Sequence, residues 1–349
     1  MSALTQPSVQ PSQQVSPMFF FENMNAYQKT AALVAAIELD VFTRLVEARS
    51  SSERTAAALA QQTGAHEKGV RILCDFLTVH GLMVKHNAAS PVAWYEPTPD
   101  TGFFLDRRSP AALVHAPKFL APPPMHELVK ELVGAVRKGG TVTEEPTHEN
   151  DPRWVDFARG MAPFTGASAG PMAELVNSGG PQKILDIAAS HGMFGIACLK
   201  ANPQAQVVAL DGAAVLQVGE ENARKLGVAD RWRKLAGDAF TVDYGTGYDA
   251  VLVTNFLHHF EPSVNEQFLR KVHAALKPGG KAVVLEFAPN DDRISPAIPA
   301  SFAMIMLTAT EKGDAYTYRQ LSAMLENSGF RGIERHDPPT PQTIILGTK

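Results

Sequence analysis

Side chains that can bind a nucleoside stand at the ends of short apolar runs in the C-terminal half of this chain. One run ends in Asp211, and the next is followed by Gly237-Asp238-Ala239-Phe240. The Asp211 carboxylate can accept hydrogen bonds from two neighbouring ribose hydroxyls, each contributing about 1.5–3 kcal/mol because it is charge-assisted. Asp238 is placed to accept from an adenine amino group, with Phe240 as an apolar wall. Two structural alternatives stay open, since Asp211 could cap the helix after Gly212 and Asp238 could simply form a turn.

Groups for acid–base chemistry follow two further runs. His258 and His259 come shortly after Asn255, and Glu286 closes the run after them. A histidine can act as general base at neutral pH, and Glu286 is a candidate to orient it. Adjacent residues on an extended backbone point in opposite directions, so only one of the two histidines is expected to face the site. We therefore expect no metal here, and the alternative is a histidine that merely caps the strand end.

The stretch from Lys183 to Asp211 must position these groups. It consists of an apolar run typical of a buried strand, a small-residue turn at 188–192, a helical pattern, and a second apolar run that ends in Asp211. This layout is typical of a nucleotide-binding crevice at the carboxyl ends of parallel strands. In the dinucleotide fingerprint Ser190 replaces the first glycine, while Gly192 and Gly195 hold the other two. That partial match leaves NAD open, and the loop with Asp238 favours a single nucleoside.

From Lys183 onward strand and helix patterns alternate, which predicts an α/β fold with a Rossmann-like, mostly parallel sheet. The predicted strands are 183–188, 206–210, 232–236, 248–254, 281–287, 331–336 and 342–347. The predicted helices are 192–201, 213–226, 263–276, 299–309 and 317–328.

The N-terminal part reads as mainly helical. Apolar residues at helical spacing predict one long helix at 25–45, which suits a subunit interface or, equally well, an ordinary core helix. Residues 55–84 form a helix-turn-helix pattern with Gly64 at the turn, and a β-wing is predicted at 83–97. The second helix has no net positive face, so dimer packing is favoured over DNA binding. A helix at 127–138 is predicted in a connecting region at 106–152, and two short helices are predicted after it, at 154–161 and 171–176.

Composition limits the remaining possibilities. With 349 residues, 45 % hydrophobic residues and a net charge of -4, the chain is expected to form about two domains and to bind neither nucleic acid nor a membrane. Residues 1–17 carry no charge and are rich in Ser, Gln and Pro, which predicts a disordered tail. Cys74 and Cys198 lie in apolar helical patterns and are expected to be buried thiols of a cytoplasmic protein.

Taken together, the motifs resemble those of the S-adenosylmethionine-dependent O-methyltransferases of the plant caffeate and bacterial antibiotic-biosynthesis type. Leu185-Asp186-Ile187 to Gly192 matches the family's glycine-rich turn, Asp211 its ribose acid, Gly237 to Phe240 its adenine motif, and Leu257-His258-His259-Phe260 its catalytic stretch. The resemblance implies a class I methyltransferase domain at 111–349 that follows a winged-helix dimerisation domain at 18–110, and a homodimer. It also implies S-adenosylmethionine as cofactor, with His258 as base and Glu286 beside it. The implied cofactor residues are Asp186, Ala188, Gly192, Asp211, Gly237, Asp238, Ala239, Phe240 and Asn255, and the implied acceptor pocket contains Phe157, Met161, Phe302 and Met306.

The chain departs from the family pattern at specific positions. Ala188, Ala189 and Ser190 replace glycines of the turn, and because a Cβ makes positive φ costly we expect ordinary dihedrals there. His191 could reach the methionine end of the cofactor, but a solvent-facing position is expected. His259 stands where the family has an acid. A further supporting acid is missing at Ala315, although Asp314 is adjacent.

The sequence therefore predicts methyl transfer from S-adenosylmethionine to a hydroxyl of a small, aromatic metabolite. One alternative is a cyclase or decarboxylase that keeps the cofactor on this scaffold. The other is a winged-helix regulator that senses a metabolite.

Overall fold

The computed structural model describes residues 17–89, 92–120, 124–143 and 152–349. The described residues form two compact units that divide between Val114 and His115. The disordered tail expected at 1–17 lies outside the described residues except for Pro17.

The first unit is a winged helix. Its elements are α1 (Met18–Met24), α2 (Tyr27–Glu38), α3 (Val41–Glu47), α4 (Ala56–Thr63), α5 (Glu67–Val79), β1 (Met83–His86), β2 (Trp94–Pro97) and α6 (Pro99–Phe104). The predicted turn between α4 and α5 is present, with Gly64 at φ 70°, and β1 and β2 pair antiparallel as the wing. Phe42, Leu59 and Leu77 are buried in a common core, where each contributes about 1.5–3 kcal/mol. Cys74 is buried in α5 as a free thiol, as predicted.

The single helix predicted at 25–45 is wrong, because the chain forms α2 and α3 with a break at Leu39 and Asp40. Asp40 adopts φ 61°, a left-handed conformation that aspartate tolerates better than most residues. The Arg107 guanidinium donates to Asp40 Oδ1 at 2.8 Å and to the Ile37 carbonyl at 2.8 Å. An arginine distant in sequence thus donates hydrogen bonds at the end of α2. Helical periodicity alone cannot reveal such a partner.

The second unit contains the remaining elements. The helices are α7 (Pro117–Leu120), α8 (Pro124–Lys130), α9 (Leu132–Lys138), α10 (Pro152–Met161), α11 (Gly166–Val176), α12 (Met193–Ala201), α13 (Ala213–Lys225), α14 (Pro262–Ala275), α15 (Ala297–Ala309) and α16 (Tyr318–Asn327). The strands are β3 (Gln182–Ile187), β4 (Ala205–Asp211), β5 (Trp232–Ala236), β6 (Tyr248–Thr254), β7 (Leu276–Glu286), β8 (Arg331–His336) and β9 (Thr343–Thr348). Three predictions need correction. The helix at 127–138 is divided at Glu131, and the helix at 171–176 begins five residues earlier and runs through Pro171. The strand at 281–287 begins earlier, at Leu276, and ends at Glu286.

These seven strands form one sheet in the order β5-β4-β3-β6-β7-β9-β8, in which β9 runs opposite to the other six. From β3 the chain continues outward to β4 and β5 and then returns to place β6 on the other side of β3. This reversal between β3 and β6 is the point at which an open α/β sheet binds its ligand, beyond the carboxyl ends of the strands. The predicted mostly parallel, Rossmann-like sheet is confirmed.

Apolar cores cover both faces of the sheet. Met172 of α11, Leu199 of α12 and Leu216 of α13 pack on one face. Phe268 of α14 and Leu321 of α16 pack on the other. The strand ends, with their polar residues, are thereby held at one edge of a rigid layer.

Candidate active site

The turn between β3 and α12 contradicts the dihedrals expected from its side chains. Ala188 and Ser190 adopt φ 52° and 51°, so both carry a Cβ in the left-handed region. Such a conformation costs about 1–2 kcal/mol per residue. Local bonds hold it in place: the Ala189 amide donates to the Leu210 carbonyl at 3.0 Å, and the Ser190 amide donates to Asp211 Oδ2 at 2.8 Å. Contacts with β4 therefore impose the glycine-like path on residues that are not glycine.

Two acids lie beside this turn: Asp186 is buried and Asp211 is partly buried. Asp186 is fully buried, and its Oδ2 accepts from the Gly195 amide at 3.0 Å, at the N-terminal end of α12. Burial raises its pKa to about 7, and the charge of Asp211 adds to the shift. Burial also raises the pKa of Asp211 to about 6, against the hydrogen bonds from the Ser190 and Gly212 amides. Burial thus disfavours the charged form of both acids, and hydrogen-bond donors from a ligand would favour it.

Two buried oxygens of this region have no hydrogen-bond partner among the described residues, namely Asp186 Oδ1 and Ser190 Oγ. A buried polar atom left in this way costs about 1–3 kcal/mol. The unmet hydrogen-bonding capacity lies beside the turn and suits a ligand rich in donors and acceptors.

His191 is not solvent-facing, which corrects the expectation from sequence. Its side chain is 5 % exposed, and its ring lies 5.8 Å from that of Phe194. Burial lowers its pKa to about 4, and Nδ1 accepts from the Met193 amide at 3.1 Å. His191 is therefore a neutral residue that begins α12 by accepting a hydrogen bond.

Trp232 is a residue of this region that sequence reasoning missed. An added Cβ on Gly219 would lie 2.8 Å from Trp232 Cζ2, and one on Gly192 would lie 3.3 Å from the same atom. The indole thus fills the space between the turn and α13. A glycine inside the helical pattern of α13 is the sequence signal that indicates such a close approach.

The loop after β5 carries the predicted adenine motif. Gly237 adopts φ 151°, and Asp238 Oδ1 accepts from the amides of Phe240 and Thr241 at 2.7 and 3.1 Å. Asp238 thus does form a turn, with its hydrogen bonds made through Oδ1. Phe240 packs against the ring of Phe260 at 4.9 Å, and Ala239 is buried.

Asn255 lies at the end of β6 with φ 53°, beyond the register of the strand. Its side-chain oxygen accepts from Gln342 Nε2 at 2.7 Å, and Gln342 in turn accepts from Ser168 at 3.3 Å. In this structure the amide oxygen of Asn255 binds a neighbouring side chain rather than standing open to the crevice.

His258 and Glu286 lie together as predicted. His258 Nδ1 is 2.6 Å from Glu286 Oε2, and both side chains are buried. Glu286 Oε1 accepts from the amides of Phe256 and Leu257 at 2.9 and 2.8 Å. Since a carboxylate only accepts, Nδ1 of His258 carries the proton and Nε2 has a free lone pair. The histidine is oriented as a base would need to be.

The two histidines do not alternate on an extended backbone, so that premise is wrong. Leu257–His259 is a turn of 3₁₀ helix, which brings the rings of His258 and His259 to 4.4 Å. Burial lowers the pKa of His259 well below its usual value, and His258 adds to the shift. Asp314, the acid nearest to the expected supporting position, pairs instead with Arg293 at 2.9 Å.

The predicted pocket residues lie on two helices, α10 and α15. Phe302 of α15 meets the His258 ring edge-to-face at 4.9 Å, and Met306 is buried one turn further along α15. Phe157 of α10 lies 5.9 Å from Trp154, whose ring is 6.1 Å from His259. Met161 ends α10 and is partly buried. Trp154 is the aromatic neighbour that sequence reasoning passed over.

Over the ranges that the structure describes, no three or more His, Cys, Asp or Glu side chains are grouped so that they could hold a metal ion. None of the helices in the described part of the chain has the length and hydropathy needed to cross a bilayer.

Comparison with known proteins gives the family. Residues 127–331 match the O-methyltransferase domain, and residues 21–107 match the O-methyltransferase dimerisation domain. This chain belongs to the O-methyltransferase family. The expected class I methyltransferase fold and the N-terminal dimerisation domain are thereby confirmed.

Three known proteins show what this O-methyltransferase is similar to. It is 25 % identical to the tetracenomycin polyketide synthesis 8-O-methyl transferase of Streptomyces glaucescens, over 93 % of this chain and 94 % of that protein. A crystal structure from Nostoc punctiforme PCC 73102, assigned as an O-methyltransferase, is 44 % identical with a TM-score of 0.89, over 97 % of this chain and 100 % of that one. Human N-acetylserotonin methyltransferase, solved in complex with S-adenosylmethionine, is 20 % identical with a TM-score of 0.83, over 98 % of this chain and 99 % of that one. The last of these is a likeness of fold.

Proposed function

We propose that this O-methyltransferase moves a methyl group from S-adenosylmethionine to a hydroxyl of a small aromatic metabolite, with His258 as general base. The observation that carries the proposal is the 2.6 Å contact between His258 Nδ1 and Glu286 Oε2. It keeps the Nε2 lone pair free for an acceptor proton.

The residues at the turn fit S-adenosylmethionine. Its ribose hydroxyls and amino group are donors, and Asp211 and the unpartnered Asp186 Oδ1 are acceptors at the carboxyl edge of the sheet. Asp238 and Phe240 would hold the adenine, since the hydrogen bonds of Asp238 use Oδ1 and leave Oδ2 for an amino group. When bound, the cofactor supplies an electrophilic sulfonium methyl group, so the protein has to align the acceptor and remove its proton.

His258 would take that proton at Nε2, and Glu286 would stabilise the imidazolium that results. A positioned base of this kind contributes roughly 10²–10⁴-fold to the rate. Phe302 restricts the ring from the side, and Phe302 with Met306 offers an apolar surface on which a flat acceptor can pack. An aromatic acceptor suits this surface, and its hydroxyl is acidic enough to give up a proton to histidine.

We also propose that the chain acts as a homodimer through its dimerisation domain. The exposed apolar side chains of α1 support this proposal, with Phe19, Phe20 and Phe21 each more than half exposed in the single chain. Light scattering is expected to give twice the mass of the chain, and a monomer at micromolar concentration would contradict the proposal.

The function is tested by a screen of phenols and of matched aliphatic alcohols that measures S-adenosylhomocysteine released. We expect release with some phenols and not with the alcohols. His258→Ala should abolish release while S-adenosylhomocysteine binding persists. Release that is unchanged in His258→Ala would reject the base assignment, and turnover of alcohols alone would reject the aromatic acceptor.

A further inference from the structure

Lys271 lies on α14 outside the cofactor crevice, yet its ammonium group is used entirely by the loop that carries Asp238 and Phe240. Lys271 Nζ donates to the carbonyls of Ala239, Phe240 and Val242 at 3.1, 2.8 and 2.7 Å. An ammonium has three donors, so these three carbonyls satisfy it completely.

The same loop is held from the opposite side by Asp238. Its Oδ1 accepts from the amides of Phe240 and Thr241, and its backbone carbonyl accepts from the Val242 amide at 2.9 Å. The amides of the loop therefore point toward Asp238 while the carbonyls point toward Lys271. Together the two residues determine the orientation of the peptide planes between 239 and 243.

Tyr244 completes the arrangement. Its buried ring lies 4.1 Å below the Lys271 ammonium, and its hydroxyl donates to the Ala239 carbonyl. Burial lowers the pKa of Lys271, while the charges of Asp238 and Asp243 oppose that shift. The lysine is thus a partly desolvated cation held between a ring and three carbonyl dipoles.

We propose that Lys271 is a positioning residue for cofactor recognition, which keeps the 238–242 loop in the conformation that presents Asp238 and Phe240 to the nucleoside. This inference rests on the proposed function, because it takes S-adenosylmethionine as the ligand. Lys271 acts through the loop and touches neither cofactor nor acceptor.

The test replaces Lys271 by methionine, which keeps the apolar stem and removes the donors. If the loop then spends about a tenth of the time in its present conformation, the apparent Kd for S-adenosylhomocysteine rises about tenfold, since affinity scales with the competent fraction. At saturating cofactor kcat should change by less than about twofold, and Lys271→Arg should recover affinity to within about threefold of wild type.

The chain offers a matched control in Lys183. Its Nζ also lies 4.1 Å from a tyrosine ring, that of Tyr248, and donates to one carbonyl, that of Thr246, at 3.1 Å. Lys183→Met removes an ammonium that lies over a tyrosine ring and its one carbonyl contact, without touching the 238–242 loop. It should leave the affinity for S-adenosylhomocysteine unchanged.

Hydrogen exchange of the cofactor-free protein separates positioning from general stability. The amides of Phe240, Thr241 and Val242 should lose protection in Lys271→Met and keep it in Lys183→Met. Loss of protection throughout α14 and β6 would make Lys271 a residue of fold stability and overturn the proposal, as would unchanged affinity in Lys271→Met.

A second variant covers the case in which Lys271→Met does not fold. Tyr244→Phe removes only the hydroxyl bound to Ala239 and should weaken S-adenosylhomocysteine binding about threefold, with the same local loss of protection. If Tyr244→Phe changes neither the affinity nor the exchange of the loop amides, the proposal is overturned. If wild type fails to bind S-adenosylhomocysteine, the proposed function fails, while the exchange result still decides whether Lys271 holds the loop.

Discussion

Replacing Glu286 by glutamine tests the acid–base centre most sharply, because no orientation of the amide can keep the bonds from the Phe256 and Leu257 amides together with the bond from His258 Nδ1–H. With the amide oxygen toward the backbone it keeps the bonds from Phe256 and Leu257 at 2.9 and 2.8 Å. Its NH₂ then faces His258 Nδ1, which must become an acceptor, so Nε2 takes the proton. The reverse orientation sets NH₂ against two amide donors and loses both bonds, at about 1 kcal/mol or more each.

The first orientation is therefore favoured by about 2 kcal/mol, which is about thirtyfold in population. Most His258 would carry its proton on the wrong nitrogen, and the imidazolium would also lose a charge-assisted bond of about 1.5–3 kcal/mol. Together these effects predict a fall in kcat on the order of 10²–10³. Cofactor affinity should stay within about twofold, since Glu286 makes its bonds to His258 and its neighbours.

The assay is S-adenosylhomocysteine release at saturating cofactor with an acceptor found in the screen, and calorimetry gives the cofactor affinity. Asp314→Asn is the control, because that carboxylate pairs with Arg293 and leaves Glu286 untouched. Activity of Glu286→Gln within about threefold of wild type would refute the assignment of the tautomer.

Four further predictions concern the cofactor turn and the residues packed against it. Burial raises the pKa of Asp211 to about 6 and that of Asp186 to about 7, so the folded chain holds both protons more tightly than the unfolded chain does. The free energy of unfolding of the cofactor-free chain should therefore fall as pH rises from about 4 to 7. Cofactor binding through ionised Asp211 should conversely weaken as pH falls below about 6, by up to tenfold per pH unit; calorimetry that finds pH-independent affinity would contradict this role. Ala188→Gly removes a Cβ from a left-handed residue, so this variant should have a free energy of unfolding about 1 kcal/mol higher than Ala189→Gly in denaturant unfolding. The opposite order would show that the backbone of the turn is unstrained. Gly219→Ala should lower the free energy of unfolding by about 1–3 kcal/mol and shift tryptophan fluorescence, because the new Cβ would lie 2.8 Å from the Trp232 ring. Gly170→Ala is the control, since its new Cβ meets no atom within 4 Å and should cause neither change. Equal effects of the two substitutions would contradict the close packing of Gly219 against Trp232.

Much of the site could be predicted because parallel strands bring their carboxyl ends to one edge. Asp211, Asp238 and Glu286 could be assigned to that edge from strand patterns alone, and the pairing of His258 with Glu286 followed from it. The side-chain pattern of each strand can be recognised locally in the sequence. Once the parallel strands pair, residues that follow their carboxyl ends lie close together.

What sequence could not reveal depends on distant partners. The dihedrals of Ala188 and Ser190 are set by bonds to Leu210 and Asp211, which outweigh a local preference of about 1–2 kcal/mol. The end of α2 depends on Arg107, and the 3₁₀ turn at His258 depends on amides bound by Glu286. Lys271 gives no signal at all, because its three acceptors are backbone carbonyls that any sequence possesses.

The most direct test of the account is the transfer of a labelled methyl group from S-adenosylmethionine, followed by NMR of the product. We expect one labelled methyl on an aromatic hydroxyl oxygen for each S-adenosylhomocysteine formed, and no labelled product with His258→Ala although that variant still binds S-adenosylhomocysteine. A label on carbon, or a product formed without gain of a methyl group, would contradict it.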